Sequence, residues 1–585
     1  MKTQPPLVHL ALFVQIGNTW QPATVLNARR TVTKPPFVAS WKRQGPVLQL
    51  KLRRRDSRPF TPTAYRVEVA LPLRNYSYSV VPDCGRHYVN TAKGLDIRSG
   101  AFGVHAANAG HPFFALADEA GKFWFAFGIP SAKGEVRCRR VLPRISSRKA
   151  LVGGDDLLAL SFEWEAGAGP IEFFATGREK TWFHALRRYT AGIRQAENLR
   201  YPIQEEAWQP VWCNWTAFSS DDLTGKRVIA NARIAYDLGI RTVIIDDGWF
   251  GPGLDSELTL NFGDYRPDPK KFPNLPATVR ALQAIGHKVL LWHAPLCVAR
   301  TAPVWAKLQR WAMFVDRQEF TSVNGLQQLC PACPEVRAYV ARETERLLRD
   351  YGVDGLKVDL YNCLPTRRCD SPHHSHDIAD PVAAVDATMA AQWTAAQRVK
   401  PDVIFELKQD YGNVRLCRHG SMVRAGDTAY DVNTNLRRCF YNQAYAQCVL
   451  NDYFVSDAFI APAALRLAMI RMLTAGVPAF GNDMTRLTAA QRKVIREWLD
   501  FYRQELPMFR QPREPQDNLL GVWQGGNRQR AWVSAWSEAR EIRLPAAQTI
   551  FVMNATAHDE LYVRRPGQKV VRLPVPSGGR VVLKS

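Results

Sequence analysis

The chain has 585 residues, with 77 basic and 54 acidic side chains and a formal net charge of +23. At about 100–200 residues per domain, that length implies roughly three domains, or one large barrel with satellites. Hydrophobic residues make up 46% of the chain and aromatic residues 11% of it, which supplies a sizeable core and excludes wholesale disorder, and no run reaches the ~18 consecutive apolar residues of a membrane helix.

The N-terminal stretch Leu7–Ile16 is apolar, but His9 and Gln15 interrupt it and no small-residue cleavage site follows. It reads as a first β-strand rather than a signal peptide. The 11 cysteines are an odd number without regular spacing, which fits reduced thiols in a cytoplasm better than a disulfide framework.

Residues 1–200 read as an N-terminal antiparallel β-sandwich with a linking helix. Runs such as Val47–Leu52, Tyr65–Leu71, Tyr76–Val81, Phe123–Phe127 and Leu157–Phe162 are separated by turn residues. Glu179–Gln195 then carries Trp182, Leu186, Tyr189 and Ile193 on one helical stripe.

Residues 201–504 have a different texture, with short, wholly apolar strands alternating with amphipathic helices. That is the pattern of a parallel sheet covered on both faces. The expected strands are Pro210–Cys213, Thr242–Ile245, Lys288–Trp292, Gly355–Asp359, Val403–Glu406, Met422–Ala425, Leu450–Phe454 and Val477–Phe480. Eight such strands make an α/β fold of the (β/α)8 TIM-barrel class, and no Gly-rich phosphate turn follows the first strand to suggest a doubly wound sheet. Residues 505–585 return to short strands, Leu519–Trp523, Arg530–Ala535, Ile550–Met553, Val570–Leu573 and Val581–Leu583, and form a small C-terminal β-domain.

The charge follows the same division. Residues 1–200 carry a net of +16 and residues 505–585 a net of +5, while the barrel carries only +2. A pI near 9.7 permits a nucleic-acid partner. Clusters such as Lys51–Arg55 and Arg137–Lys149 instead read as solvated strand faces, so no nucleic-acid and no membrane partner is expected. A homo-oligomer is compatible with the chain.

In a TIM barrel, reactive side chains come from the C-terminal ends of the strands. Here strand two ends in Asp246-Asp247-Gly248-Trp249 and strand three in Trp292-His293. Strand four is Leu356-Lys357-Val358-Asp359, strand five Phe405-Glu406-Leu407-Lys408, and strand six Arg424-Ala425-Gly426-Asp427. Five successive strand ends carrying charge point to a site, because charges do not gather in a dry core without a function. Alternation puts Lys357 and Asp359 on one side, where a lysine favours the ionised carboxylate. Two carboxyl groups facing each other across a barrel mouth suit a retaining glycosidase, one attacking the anomeric carbon and the other serving as acid and base. Asp359 is the expected nucleophile and Asp427 the expected acid/base, with Asp431, which also reads as a helix N-cap, as the alternative.

Two cysteine features stand apart. Cys330 and Cys333 form a CxxC without a second pair, and the loop Asn362–Asp380 holds Cys363, Cys369, His373, His374, His376 and Asp377. The loop reads as a metal site, a lid or solvated side chains. Because the chemistry above needs no metal, none is expected, and no cofactor.

The combination Asp246-Asp247-Gly248-Trp249-Phe250, Gly263-Asp264-Tyr265, Lys271-Phe272-Pro273 and Lys357-Val358-Asp359 resembles the melibiase-type α-galactosidases, glycoside hydrolase family 36, over about Trp208–Asp483. The resemblance implies that Asp246 and Asp247 bind galactose O4 and O6, that Lys357 binds sugar hydroxyls, and that Asp359 is the nucleophile. It also implies Asp427 beside Arg424 as acid/base. Trp212, Trp249 and Trp292, with Glu406, Lys408 and Arg424, complete the expected sugar pocket.

The chain departs from the family pattern in three places. Trp292-His293-Ala294-Pro295-Leu296 replaces a Glu-Pro-Glu type segment. Glu406–Asn413 replaces a Cys- and Gly-rich loop, and Arg424-Ala425-Gly426-Asp427 stands where Ser-Asp is usual. Lys408 and Arg424 add positive charge that would suit an acidic sugar, unless Lys408 pairs with Glu406 or Asp410. The expected function is an exo-acting retaining α-galactosidase acting on oligosaccharides or glycosides. A raffinose-synthase-like transferase and a non-catalytic sugar-binding relative are the alternatives.

Overall fold

The computed structural model describes residues 9–584 except 27–30, 34–35, 73–77, 81–91, 94–99, 104–111, 118–122, 132–134, 141–156, 167–169, 255–260, 366, 409–413, 425, 427–428, 430–431, 456–459 and 518–520. Two compact units emerge, Met1–Asn198 with Asp517–Leu519, and Leu199–Gln516 with Leu520–Ser585.

The first unit contains two seven-stranded antiparallel sheets. Along His9–Ile16, Leu10, Leu12 and Val14 are buried while Ala11 and Phe13 are half-buried, the period-2 alternation of a strand with one face in a core. Val67, Val69, Leu160, Phe162 and Phe173 join them. Phe114 stacks on Phe162 with ring centroids 5.7 Å apart. Lys51, Arg53 and Arg55 are exposed, as a solvated face requires. Residues 141–149 of the other basic cluster lie outside the described residues, as do the expected strand ends Leu7, Tyr76, Val81, Ala425 and Leu519. The helix Trp182–Ala196 is N-capped by Thr181 and buries Trp182, Leu186, Tyr189 and Ile193.

In the second unit the eight expected strands form one parallel sheet: Val211–Cys213 (β1), Thr242–Ile245 (β2), Lys288–His293 (β3), Gly355–Val358 (β4), Ile404–Lys408 (β5), Met422–Arg424 (β6), Val449–Leu450 (β7) and Ala479–Phe480 (β8). They pair in chain order from β1 to β7, and β8 pairs with β1. Parallel bridges Leu450–Val477 and Phe454–Phe480 join the two ends of the sheet, so it closes as a TIM barrel.

The helices that follow the strands start and stop where their caps dictate. They are Gly225–Asp237 (α1), Leu275–Ile285 (α2), Pro334–Tyr351 (α3), Pro381–Val399 (α4), Val432–Asn442 (α5), Pro462–Ala475 (α6) and Ala489–Gln504 (α7). Thr224, Asn274 and Asp380 each accept a backbone N–H of the first turn, and Thr488 with Gln491 makes a capping box. Between β5 and β6 the described residues hold only the short 3-10 turn Leu416–His419.

The C-terminal strands build a five-stranded and a three-stranded sheet. Phe440 of α5 stacks on Trp523 at 3.7 Å. Among the described residues, no helix is long and apolar enough to cross a membrane.

Candidate active site

The barrel interior is set by side-chain parity. Val211, Cys213, Ile244, Leu290, Ile404, Met422, Leu450, Val477 and Ala479 share one apolar cluster. Two residues further along their strands, the same alternation brings Asp246, Trp292, Glu406, Arg424 and Asp452 to the C-terminal side, with Lys357 on β4. A dry base therefore passes into a charged rim.

That rim is paired tightly. Lys357 Nζ lies 2.5 Å from Asp246 Oδ2, with both side chains buried. Burial works against the Lys357 ammonium, but Asp246 beside it outweighs that and holds its pKa above the usual lysine value. The same ammonium lies 4.8 Å from the ring centroid of Tyr453. Asp246 Oδ2 also accepts the Cys213 thiol at 2.9 Å, and Oδ1 accepts the Asp247 N–H at 2.9 Å.

Arg424 donates to Glu406 Oε1 at 2.8 Å and to Asp452 Oδ1 at 2.5 Å. Tyr453 donates its hydroxyl to the other oxygen of Glu406. Burial raises the Glu406 carboxyl above its ordinary pKa, against the Arg424 guanidinium that lowers it. Two carboxylates on one guanidinium correct the expectation that Arg424 brings surplus positive charge for an acidic sugar.

Asp359 follows β4 and is 6% exposed. Its Oδ2 accepts the Trp292 indole N–H at 3.2 Å, and its Oδ1 accepts the Leu360 N–H at 2.7 Å. Leu360 takes φ 61°, a left-handed conformation that is uncommon for a residue with a side chain. A cation beside Asp359 is Lys408, with Nζ 3.5 Å from Oδ1. Lys357 pairs with Asp246, and Glu406 takes Arg424 rather than Lys408 as its partner. Asp410 lies outside the described residues.

The loops after β2 and β3 account for two of the sequence motifs. Gly248 has φ 85°, and a Cβ there would come within 2.4 Å of the Ser220 Cβ, so the Asp-Asp-Gly turn admits only glycine. Lys271 Nζ donates to the carbonyls of Ser220, Gly248 and Gly251 at 2.8, 3.0 and 2.8 Å. Asp247 Oδ2 accepts the Leu254 N–H at 2.6 Å. Tyr265 donates to the Ala294 carbonyl at 2.5 Å and packs edge-on against His293, with centroids 4.7 Å apart. Burial, with Arg346 adding to it, takes the His293 pKa down to about 3, so its imidazole is neutral at ordinary pH.

The structure thus brings together Asp246, Trp292, Lys357, Asp359, Glu406, Lys408 and Arg424, with Asp247 at the end of β2. Trp212 does not join them. It lies between two inward residues of β1 and therefore faces outward, donating its indole N–H to the Asn482 carbonyl at 2.7 Å. Trp249 is fully buried, packs on Tyr265 and Tyr351, and donates to the Trp292 carbonyl at 3.1 Å. Its ring belongs to the support of the loop. Asp427 and Asp431 lie outside the described residues.

Sequence reasoning missed Asp452, Tyr453 and Cys213. The signal for Asp452 was present, because it sits two residues after the inward Leu450 of β7.

Residues 183–393 match the Melibiase family model. The chain is 26% identical over 148 residues to α-galactosidase AgaA of Geobacillus stearothermophilus, covering 25% of this chain and 20% of that one. It is 26% identical over 235 residues to α-galactosidase C of Emericella nidulans, covering 38% and 29%. The matches therefore span less than a third of those relatives' length. The fold is similar to the AgaA crystal structure, with TM-score 0.65 and 13% identity over 100% of this chain and 89% of that one. A variant of that enzyme is also solved in complex with raffinose. The family model over residues 183–393, the relatives and the shared fold agree in what the chain is similar to: the melibiase-type α-galactosidases.

Proposed function

We propose that the barrel mouth is the active site of an exo-acting retaining α-glycosidase, with terminal α-galactosides as substrates. The observation that supports this best is the setting of Asp359. It is a buried carboxylate at the end of β4, held by the Trp292 indole and the Leu360 amide and flanked by Lys408 at 3.5 Å. A nucleophile needs that fixed position and an ionised form. Asp359 attacks the anomeric carbon and forms a glycosyl ester, and Asp427, or Asp431 in its place, protonates the leaving oxygen and then activates water.

Asp246, Asp247 and Lys357 bind the sugar hydroxyls, and Trp292 offers an apolar ring edge beside the anomeric centre. Glu406 and Arg424 hold each other and the rim in place. Asp246, Asp247, Asp359, Glu406 and Asp452 outnumber Lys357, Lys408 and Arg424, which favours the positive charge that develops on the sugar ring. The same balance disfavours an anionic sugar.

A panel of aryl α-glycosides tests the reading, with the anomer released first followed by proton NMR. Turnover of the α-galactoside with initial release of α-galactose supports it. No turnover of any α-linked substrate, or initial release of the β-anomer, contradicts it.

A further inference from the structure

The loop that joins β4 to α4 begins with Asp359 and runs to Asp380, and its described residues hold no strand and no α-helix. Long loops of this kind inside a compact domain need something to hold them. Three side chains of this loop, Cys369, His374 and His376, converge on Cys330, which precedes α3. The two sulfurs and one nitrogen from each imidazole all lie within 4.8 Å of one another.

The spacing suits a tetrahedral ion. Zinc–sulfur and zinc–nitrogen bonds of about 2.3 and 2.05 Å place the two ligand atoms about 3.6 Å apart across a tetrahedral angle. Cys369 Sγ and His374 Nε2 are 3.6 Å apart.

The supports around the ligands point the same way. His374 Nδ1 lies 2.9 Å from the Arg310 carbonyl, so the proton belongs on Nδ1 and the Nε2 lone pair faces the sulfur. A carbonyl behind a ligating imidazole is the usual second partner in metal sites. Cys369 Sγ accepts the Phe314 N–H at 3.3 Å, a contact that favours the thiolate. Both supports come from the segment 310–314.

The neighbouring candidates are engaged elsewhere. Cys333, the other half of the CxxC, bonds Glu335 Oε2 at 3.0 Å, and Asp377 pairs with Arg337. The CxxC is therefore not a chelating pair, and the set that remains is two thiols and two imidazoles. Burial alone does not explain the cluster, because Cys369 and His374 are half-buried and His376 is exposed.

We infer that Cys330, Cys369, His374 and His376 bind one Zn2+ in a closed structural site that pins the β4–α4 loop to the segments before α3. Two soft sulfurs and two imidazoles select zinc among common divalent ions, and four protein ligands leave no open position for catalysis. Binding releases the thiol protons, and its free energy offsets the entropy the loop loses on ordering.

The test uses the full chain without a histidine tag, grown with added zinc and purified under reducing conditions. Mass-spectrometric metal analysis should find one zinc per chain. Cys369→Ser and His376→Ala should lose it, and Cys333→Ser should keep it. Should a cysteine variant fail to fold, the exposed His376→Ala still decides the matter. Metal-stripped wild type titrated with Co2+ should develop tetrahedral d–d bands and a thiolate charge-transfer band, and zinc should raise its melting temperature. Wild type without zinc and without those bands overturns the proposal. So does a Cys330–Cys369 disulfide in peptide mapping, or full zinc content in His376→Ala.

Discussion

The indole N–H of Trp292, at the end of β3, donates to Oδ2 of Asp359, at the end of β4, at 3.2 Å. One hydrogen bond thus ties two neighbouring barrel strands and fixes the direction in which the carboxylate presents its oxygens. Trp292→Phe keeps the ring among Phe250, Phe262 and Tyr265 but removes the donor. A hydrogen bond to a charged group is worth about 1.5–3 kcal/mol, so kcat on an aryl α-galactoside should fall roughly 10–100-fold, with a smaller change in KM. A loss of kcat/KM carried by KM alone, with kcat unchanged, would show that the indole only binds substrate.

The Lys357–Asp246 pair joins β4 to β2 inside the barrel. Lys357→Met leaves Asp246 buried without its cation and should cost about 3–5 kcal/mol in urea unfolding. Combining it with Asp246→Asn should recover part of that loss, because neither charge then remains buried. Additive losses in the double variant would show that the pair is not coupled.

Lys271 holds three carbonyls of the segments flanking the Asp246-Asp247 turn. Lys271→Met leaves those carbonyls without their donor and should destabilise the protein by about 1–3 kcal/mol. KM should rise as Asp247 loses its setting. An unchanged KM with lowered stability would separate the brace from substrate binding.

His293 supplies a pH signature. Its native pKa is near 3, while the unfolded value is about 6.5. Between those values the unfolded chain takes up a proton that the folded chain refuses, so stability falls as pH drops from 6.5 toward 3. The slope from this group is at most about 1.4 kcal/mol per pH unit. His293→Asn should flatten the wild-type profile of unfolding free energy in that window and leave it unchanged above pH 7. Parallel profiles would place the acid sensitivity elsewhere.

Much of the barrel was legible because each strand is a short apolar run that ends in polar groups. All eight strands fall at or within a few residues of their expected positions, and Asp246, Lys357, Asp359 and Glu406 stand on the inner side by simple alternation. Pairing across the barrel was not legible. Nothing local says that Lys357 reaches Asp246 while Lys408 reaches Asp359, since those choices depend on how adjacent strands are staggered. Trp212 misled for the opposite reason: a tryptophan near a sugar site reads as a wall, but one position of register turns it outward. The Cys and His residues of the β4–α4 loop had no evident fourth partner, because Cys330 precedes them by a whole helix and strand.

The central claim is that Asp359 forms the covalent bond to the sugar. Asp359→Ala should lower turnover of an aryl α-galactoside by on the order of 10^3-fold or more. Adding azide should restore turnover and yield the β-galactosyl azide, because the small anion enters from the side the carboxylate has vacated. Full activity in Asp359→Ala, or an azide product of α configuration, would contradict the account.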